Sequence, residues 1–366
     1  MASPTRVDPR RGQRIEERLA RRGGALELLR LPSLVYGGVT RLRNAGYDRG
    51  WLPRERLDCA VVSVGNLTVG GSGKTPMVAW LARELARRGR RPGVLARGYR
   101  GGGARLNDEG RALARELPGV PQVQRADRAG GGRELVALGV DVVLLDDGFQ
   151  HRRLARDLDL VLIDATRPWG LSAAPGGAAV RALLPRGLLR ERPQSLARAD
   201  ALVLTRTEQA DARALAALER ELEALAPGAP ILLSEHRPAG LRGPEGERPL
   251  AALRGLRVEL VSGIAHPAAF EATARALGAE VAGVHAFPDH HAFVAADLAA
   301  ARAGGGELLA TTKDAPKLAA LGLPFLALEV ELALVRGAAV MEALLDALPR
   351  GPGPRERAAL HAGLHG

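Results

Sequence analysis

The stretch Val64-Gly65-Asn66-Leu67-Thr68-Val69-Gly70-Gly71-Ser72-Gly73-Lys74-Thr75-Pro76 decides the fold. Residues 60–64 ahead of it form a short apolar run, and residues 76–88 behind it are rich in Ala, Leu and Arg at helical spacing. The order is strand, glycine loop, helix. A P-loop needs that order, because its glycines let backbone N–H groups curl round phosphate oxygens while the helix N-terminus adds a positive dipole. Lys74 would neutralise the β- and γ-phosphates and Thr75 would offer a hydroxyl to Mg²⁺. The phosphate cradle then comprises Thr68, Val69, Gly70, Gly71, Ser72, Gly73, Lys74 and Thr75, with Thr68 standing where the strict pattern begins with Gly. The bland alternative is a glycine-rich turn before an ordinary helix. The scarcity of lysine argues against it, since Lys74, Lys313 and Lys317 are the only lysines among 52 basic residues.

Working outward, strands are expected at 93–96, 142–145, 158–163 and 201–204, with helical segments such as 133–138 between them. Apolar strands alternating with helices imply a parallel sheet covered on both faces. The run Val142-Val143-Leu144-Leu145-Asp146-Asp147 ends in two carboxylates, which such a sheet places at the crevice where ligands bind. They suit the metal side of a nucleotide site, although one of them could instead cap the next element. After Glu208 the rhythm restarts with a helix at 210–225 and strands at 231–233, 258–261, 281–284, 307–310 and 325–328, a second and smaller α/β unit. The expected domains are thus a basic arm with an interfacial helix (1–57), a P-loop domain (58–207), the second α/β domain (208–348) and a flexible tail (349–366).

A chain of 366 residues, 46% apolar and 25% charged, has enough material for a large core. The lone Cys59 excludes an internal disulfide framework and a multi-cysteine zinc site. The first 24 residues are arginine-rich with no apolar core of a signal peptide, and no apolar run reaches the roughly 20 residues of a membrane span, so a cytoplasmic protein is expected. The net charge of +11 favours an anionic partner. Nucleic acid is disfavoured, because only 3% of the residues are aromatic and the arginines are spread along the chain. Residues 26–52 mix Leu29, Leu31, Leu34, Val35, Tyr36, Val39, Leu42, Tyr47 and Trp51 with Arg30, Arg41, Arg43 and Arg49. That pattern suits either a helix lying on an anionic membrane or one packed on the domain with a solvated basic face.

The Asn/Thr-Lys-x-Asp motif of guanine recognition is absent from the sequence. A kinase needs a group that orients or deprotonates the acceptor hydroxyl, and two clusters of scarce residues stand out for that role. One is Asn107-Asp108-Glu109; the other is Phe287-Pro288-Asp289-His290-His291-Ala292-Phe293. Read for structure alone, Asp108 caps a helix and His290 stabilises a loop.

Together these motifs, with Arg97-Gly98-Tyr99, Asp146-Asp147-Gly148-Phe149-Gln150-His151-Arg152 and Thr312-Lys313-Asp314, occur in the order found in the tetraacyldisaccharide 4'-kinases of lipid A biosynthesis. The chain resembles that family over roughly residues 25 to 330. The resemblance implies transfer of the γ-phosphate of ATP, with Mg²⁺, to the 4'-hydroxyl of tetraacyldisaccharide 1-phosphate, giving lipid IVA. It implies a peripheral location on the cytoplasmic face of the bacterial inner membrane, with the lipid substrate and the anionic membrane surface as partners and no obligate protein partner. Carried over residue by residue, Asp108 acts on the acceptor hydroxyl with His290 paired to it, and Glu109, Asp146 and Asp147 lie on the Mg²⁺ side. Arg128 is the arginine near the phosphates, and Gln150 and His151 are nucleotide-side or supporting residues. Asn107 and Gly110 flank the Asp-Glu pair where the family has Gly and Pro, and residues 172–180 form an Ala/Gly-rich insertion. The bottom-up alternative is a soluble P-loop kinase or ligase acting on a small metabolite.

Overall fold

A computed structural model describes residues 18–20, 23–98, 108–171, 179–264, 267–288 and 291–350; the side chains of Asp108, Glu109 and Ala112 also lie outside the description. The chain divides into two compact units, one of Arg22–Glu235 with the stretch from Leu332 onward, the other of His236–Glu331.

The first unit opens with a 3-10 turn (Ala25–Leu29) and helix α1 (Arg30–Asp48). It continues through β1 (Ala60–Asn66), α2 (Lys74–Arg87), β2 (Pro92–Ala96), α3 (Asp108–Glu116), β3 (Gln122–Gln124), α4 (Arg128–Ala137), β4 (Val142–Asp146), β5 (Leu158–Asp164), β6 (Ala201–Thr205), α5 (Ala212–Leu225) and the start of β7 (Ile231–Gly243). Its strands lie in the order β7-β6-β5-β1-β4-β2-β3, and all its pairings are parallel. Strand β1 is central and buried on both faces, which explains its unbroken apolar reading. Val62 and Val64 pack beneath Met77, Val78 and Leu81 of α2, while Val61 turns the other way to meet Leu95, Leu135 and Val143.

The expected boundary at 207/208 is corrected to 235/236. Helix α5 buries Leu218 and Leu222 against Leu202 and Leu204 of β6, and the start of β7 pairs with β6 from Leu202↔Ile231 to Leu204↔Leu233. The helix that restarts the sequence rhythm therefore covers the first sheet.

The second unit carries β8 (Gly246–Arg248), β9 (Arg257–Ser262), α6 (Pro267–Ala276), β10 (Glu280–Ala286), α7 (Ala299–Ala303), β11 (Glu307–Thr311), α8 (Ala315–Ala319) and most of β12 (Leu326–Arg336). Its parallel strands run in the order β10-β9-β11-β12, and β8 closes an antiparallel hairpin with β7. Helix α9 (Ala338–Asp346) follows and returns Met341 and Leu345 to the core around α2, so residues 332–348 also belong to the first unit.

Among the described residues no helix is long and apolar enough to cross a membrane. Most of the expected basic arm, all but its start of the expected tail, and insertion residues 172–178 lie outside the described residues.

Candidate active site

The loop after β1 is shaped by its glycines and by what crosses it. Gly73 ends the loop at φ +86°, a left-handed conformation that a residue with Cβ adopts only at a cost, and α2 begins at the next residue. The N-terminus of α2 has no side-chain cap, so its first backbone N–H groups stay available to an anion. At Gly65 the restriction is space. A Cβ there would lie 2.5 Å from Phe149 Cβ and 2.6 Å from Phe149 N, because the turn after β4 crosses directly over β1. Gly148 N donates to Val64 O at 3.1 Å and fixes that crossing, which brings Asp147, itself at φ +54°, to the loop.

Lys74 joins the two. Its Nζ donates to Asn66 Oδ1 at 3.0 Å and lies 3.5 Å from Asp147 Oδ1. Asp147 is held from the other side by Arg190, whose Nη1 is 2.7 Å from Oδ2. Burial works against the Asp147 carboxylate, yet Lys74 and Arg190 outweigh it and hold its pKa below the usual carboxylate range. Arg190 arrives there because residues 188–190 run antiparallel to 67–69: Val69 N donates to Leu188 O at 2.8 Å and Arg190 N to Leu67 O at 2.7 Å. The sequence alone gives Arg190 no role, and Asn66 stands in it only as part of the loop motif.

Gln150 Nε2 donates to Asn66 O at 2.9 Å, so this side chain supports the lysine's partner. His151 is half-buried. Its burial, then the charges of Arg128 and Arg156, lower its pKa to about 4, which leaves it neutral at neutral pH. Arg128 is only 3% exposed and spends Nη1 on Leu95 O at 2.7 Å and Nη2 on Asp146 O at 3.1 Å. Burial lowers its pKa to about 10, partly offset by Asp146 and Asp147, so it remains a cation beneath the end of β4.

Oxygen donors of the type Mg²⁺ takes lie on this side of the loop: Asp146 and Asp147 at the end of β4, Thr75 at the start of α2, and a buried Ser72 Oγ with no hydrogen-bond partner among the described residues. Among the described residues no group of three or more His, Cys, Asp or Glu side chains forms a metal cage. The donor set fits a Mg²⁺ ion shared with nucleotide phosphates, the way this ion is usually held. Of the remaining expected residues, Asp108 and Glu109 open α3, with side chains outside the description, and His290 lies outside the described residues. Its neighbour His291 is placed: Nε2 lies 2.8 Å from Asp297 Oδ2 and the ring stacks on Phe287 with centroids 4.9 Å apart.

A parallel sheet whose central strand feeds a glycine loop, an uncapped helix and a lysine facing a carboxylate defines a P-loop protein built to hold nucleotide phosphates. The comparisons narrow that class. A model of the tetraacyldisaccharide-1-P 4'-kinase family matches residues 25–349. The tetraacyldisaccharide 4'-kinase of Anaeromyxobacter dehalogenans strain 2CP-C is 44% identical over 346 residues, covering 87% of this chain and 89% of that protein. The corresponding protein of Geobacter sulfurreducens is 38% identical, covering 90% and 92%. Among solved structures, the LpxK of Aquifex aeolicus in complex with ATP superposes with a TM-score of 0.68 at 31% identity, covering 88% of this chain and 99% of that one. The chain belongs to the tetraacyldisaccharide-1-P 4'-kinase family.

Proposed function

We propose that this protein transfers the γ-phosphoryl group of ATP to the 4'-hydroxyl of tetraacyldisaccharide 1-phosphate, giving lipid IVA in lipid A biosynthesis. The observation that carries the reading is the pairing of family membership across residues 25–349 with the Asn66–Lys74–Asp147 arrangement at the mouth of the glycine loop. Phosphoryl transfer needs little covalent chemistry from the protein; positioning and charge stabilisation do most of the work.

The backbone N–H groups of the loop and of the first turn of α2 bind the phosphates, and Lys74 moves from Asn66 and Asp147 onto the β- and γ-oxygens. Asp146, Asp147, Thr75 and Ser72 would hold Mg²⁺, with Glu109 as a further carboxylate; the ion would supply neutralisation of the phosphate charge. Arg190, with Lys74, keeps the Asp147 carboxylate ionised, and Arg128 holds the Asp146 backbone carbonyl in place. Asp108 accepts the proton of the acceptor hydroxyl, and His290 sets the basicity of Asp108. The enzyme works at the cytoplasmic face of the inner membrane as a peripheral protein. Supporting this, α1 leaves Leu31, Leu34, Val35, Val39 and Leu42 on one exposed stripe with Arg30, Arg41 and Arg49 beside it.

The test is transfer of ³²P from labelled ATP to a tetraacyldisaccharide 1-phosphate in detergent micelles, comparing wild type with Lys74→Ala. A bisphosphorylated lipid that falls by at least a hundredfold in the variant is expected. Nucleotide binding without lipid phosphorylation would refute the lipid acceptor and point to a small soluble one.

A further inference from the structure

The loop is held by more than its own sequence. A Cβ built at Gly70 or Gly71 would meet no heavy atom within 4 Å beyond the chain neighbours, so side-chain packing does not fix this part of the loop. Two carbonyls do have partners. Thr205 Oγ1, fully buried, donates to Ser72 O at 3.1 Å, and Arg206 Nη1 donates to Gly71 O at 3.0 Å. Both donors come from the end of β6, whose neighbour β5 ends in register with it, Asp164 opposite Thr205. Asp164 pairs with Arg206 and also accepts from Thr166 Oγ1 at 2.6 Å, which orients its carboxylate towards the guanidinium. Arg206 itself sits at φ +57° and ψ +39°, a left-handed conformation that disfavours any residue with a Cβ. The chain keeps an arginine there, and the guanidinium is spent on the loop.

A phosphate-binding nest turns its N–H groups inward, so its carbonyls must face outward and find donors. We propose that Arg206, with Thr205, is a positioning residue for the phosphate loop: it holds the Gly71 and Ser72 carbonyls outward, and so presents the loop N–H groups to the phosphates of ATP. The inference rests on the nucleotide reading of the loop and not on the identity of the acceptor.

The test measures the affinity of the full-length protein for a fluorescent ATP analogue, together with its melting midpoint without nucleotide, in wild type and Arg206→Gly. Glycine is at ease at φ +57°, so the variant loses the guanidinium while relieving the backbone. The expected result is a nucleotide dissociation constant raised about tenfold, while the midpoint separately reads the balance between backbone relief at φ +57° and the lost pairing with Asp164. An affinity within about twofold of wild type overturns the proposal, and so does a lower midpoint with unchanged affinity, the mark of a purely structural contact. Should Arg206→Gly not fold, Thr205→Val removes the bond to Ser72 O with little change of volume; a rise of about fivefold supports the proposal and a change below twofold overturns it. Wild-type protein that binds the analogue yet phosphorylates no lipid would refute the acceptor and leave this inference standing; failure to bind the analogue would refute both.

Discussion

Replacing Leu34 and Leu42 together by Ser should release the protein from membranes. Both project from the stripe of α1 that runs through residues 31, 34, 35, 39 and 42, whose side chains are 63% to 70% exposed. Complete burial of a Leu or Val is worth about 1.5–3 kcal/mol, so sinking a side chain that is two-thirds exposed recovers about 1–2 kcal/mol. The pair then accounts for about 2–4 kcal/mol, a fall in the partition constant of about 30- to 700-fold. The fold should be nearly indifferent, because the opposite face carries the packing: Ser33 Oγ donates to Leu183 O at 2.9 Å, and a Cβ at Gly37 would strike Leu183. Co-sedimentation with anionic vesicles reads the partition constant, while thermal unfolding and nucleotide binding confirm that the variant is intact. A loss of less than about threefold in an intact double variant would refute the placement of α1 on the bilayer.

Gly65→Ala should destabilise the protein by about 2–3 kcal/mol, since the added methyl meets the Phe149 backbone, and should weaken nucleotide binding as the turn carrying Asp147 moves; denaturant unfolding with a binding titration checks both. Between pH 4 and 6.5 the unfolded chain protonates His151 more readily than the folded one, so this residue makes stability rise with pH across that window. Buried Asp159 has a pKa raised to about 6 and acts in the opposite sense, stability falling as pH rises from 3.8 towards 6. His151→Asn should therefore flatten or reverse the rise in denaturant midpoint between pH 5 and 6.5, and an unchanged slope would count against a buried neutral imidazole. Asp108→Ala and His290→Ala should each lower turnover at least tenfold with nucleotide affinity intact, and the double variant should be little worse than either single; multiplicative losses in steady-state kinetics would mean that the two act separately.

The motif that opens on Val64 was legible because P-loop chemistry constrains residues that are neighbours in sequence: Gly73 must be left-handed and Lys74 must start the helix. The five expected strands of the first sheet lie within the observed ones, since strands buried on both faces are written as apolar runs. What escaped is long-range. Nothing local marks Arg190 as the partner of Asp147, 43 positions away, or Arg206 as the partner of the Gly71 carbonyl, 135 positions away. The unit boundary escaped for the same reason: the rhythm of α5 and β7 reports helix and strand, but which sheet they cover is decided by the contacts of Leu218 and Leu222.

Helix α1 ties its exposed apolar stripe, proposed above to meet the bilayer, to the phosphate-facing part of the first unit. Its inner face sends Arg43 Nη2 to Gln150 O at 2.9 Å and Asn44 Nδ2 to buried Glu191 Oε2 at 2.7 Å. Gln150 in turn donates to Asn66 O, and the Asn66 side chain receives Lys74. Lys74 thus stands three hydrogen-bonded steps from a helix whose outer face is apolar, and Arg190, beside Glu191, holds the carboxylate that Lys74 faces. A signal passed along this path would require an element with two arrangements that both sites bias. A single well-bonded arrangement does something different: it fixes the depth of the phosphate loop relative to α1. On the proposed placement of α1 at the bilayer, where the acyl chains would hold the acceptor hydroxyl, such a fixed offset would let the docked enzyme bring the γ-phosphate to the height of that hydroxyl, and binding energy gained by the outer face of α1 would be spent on positioning at the inner one.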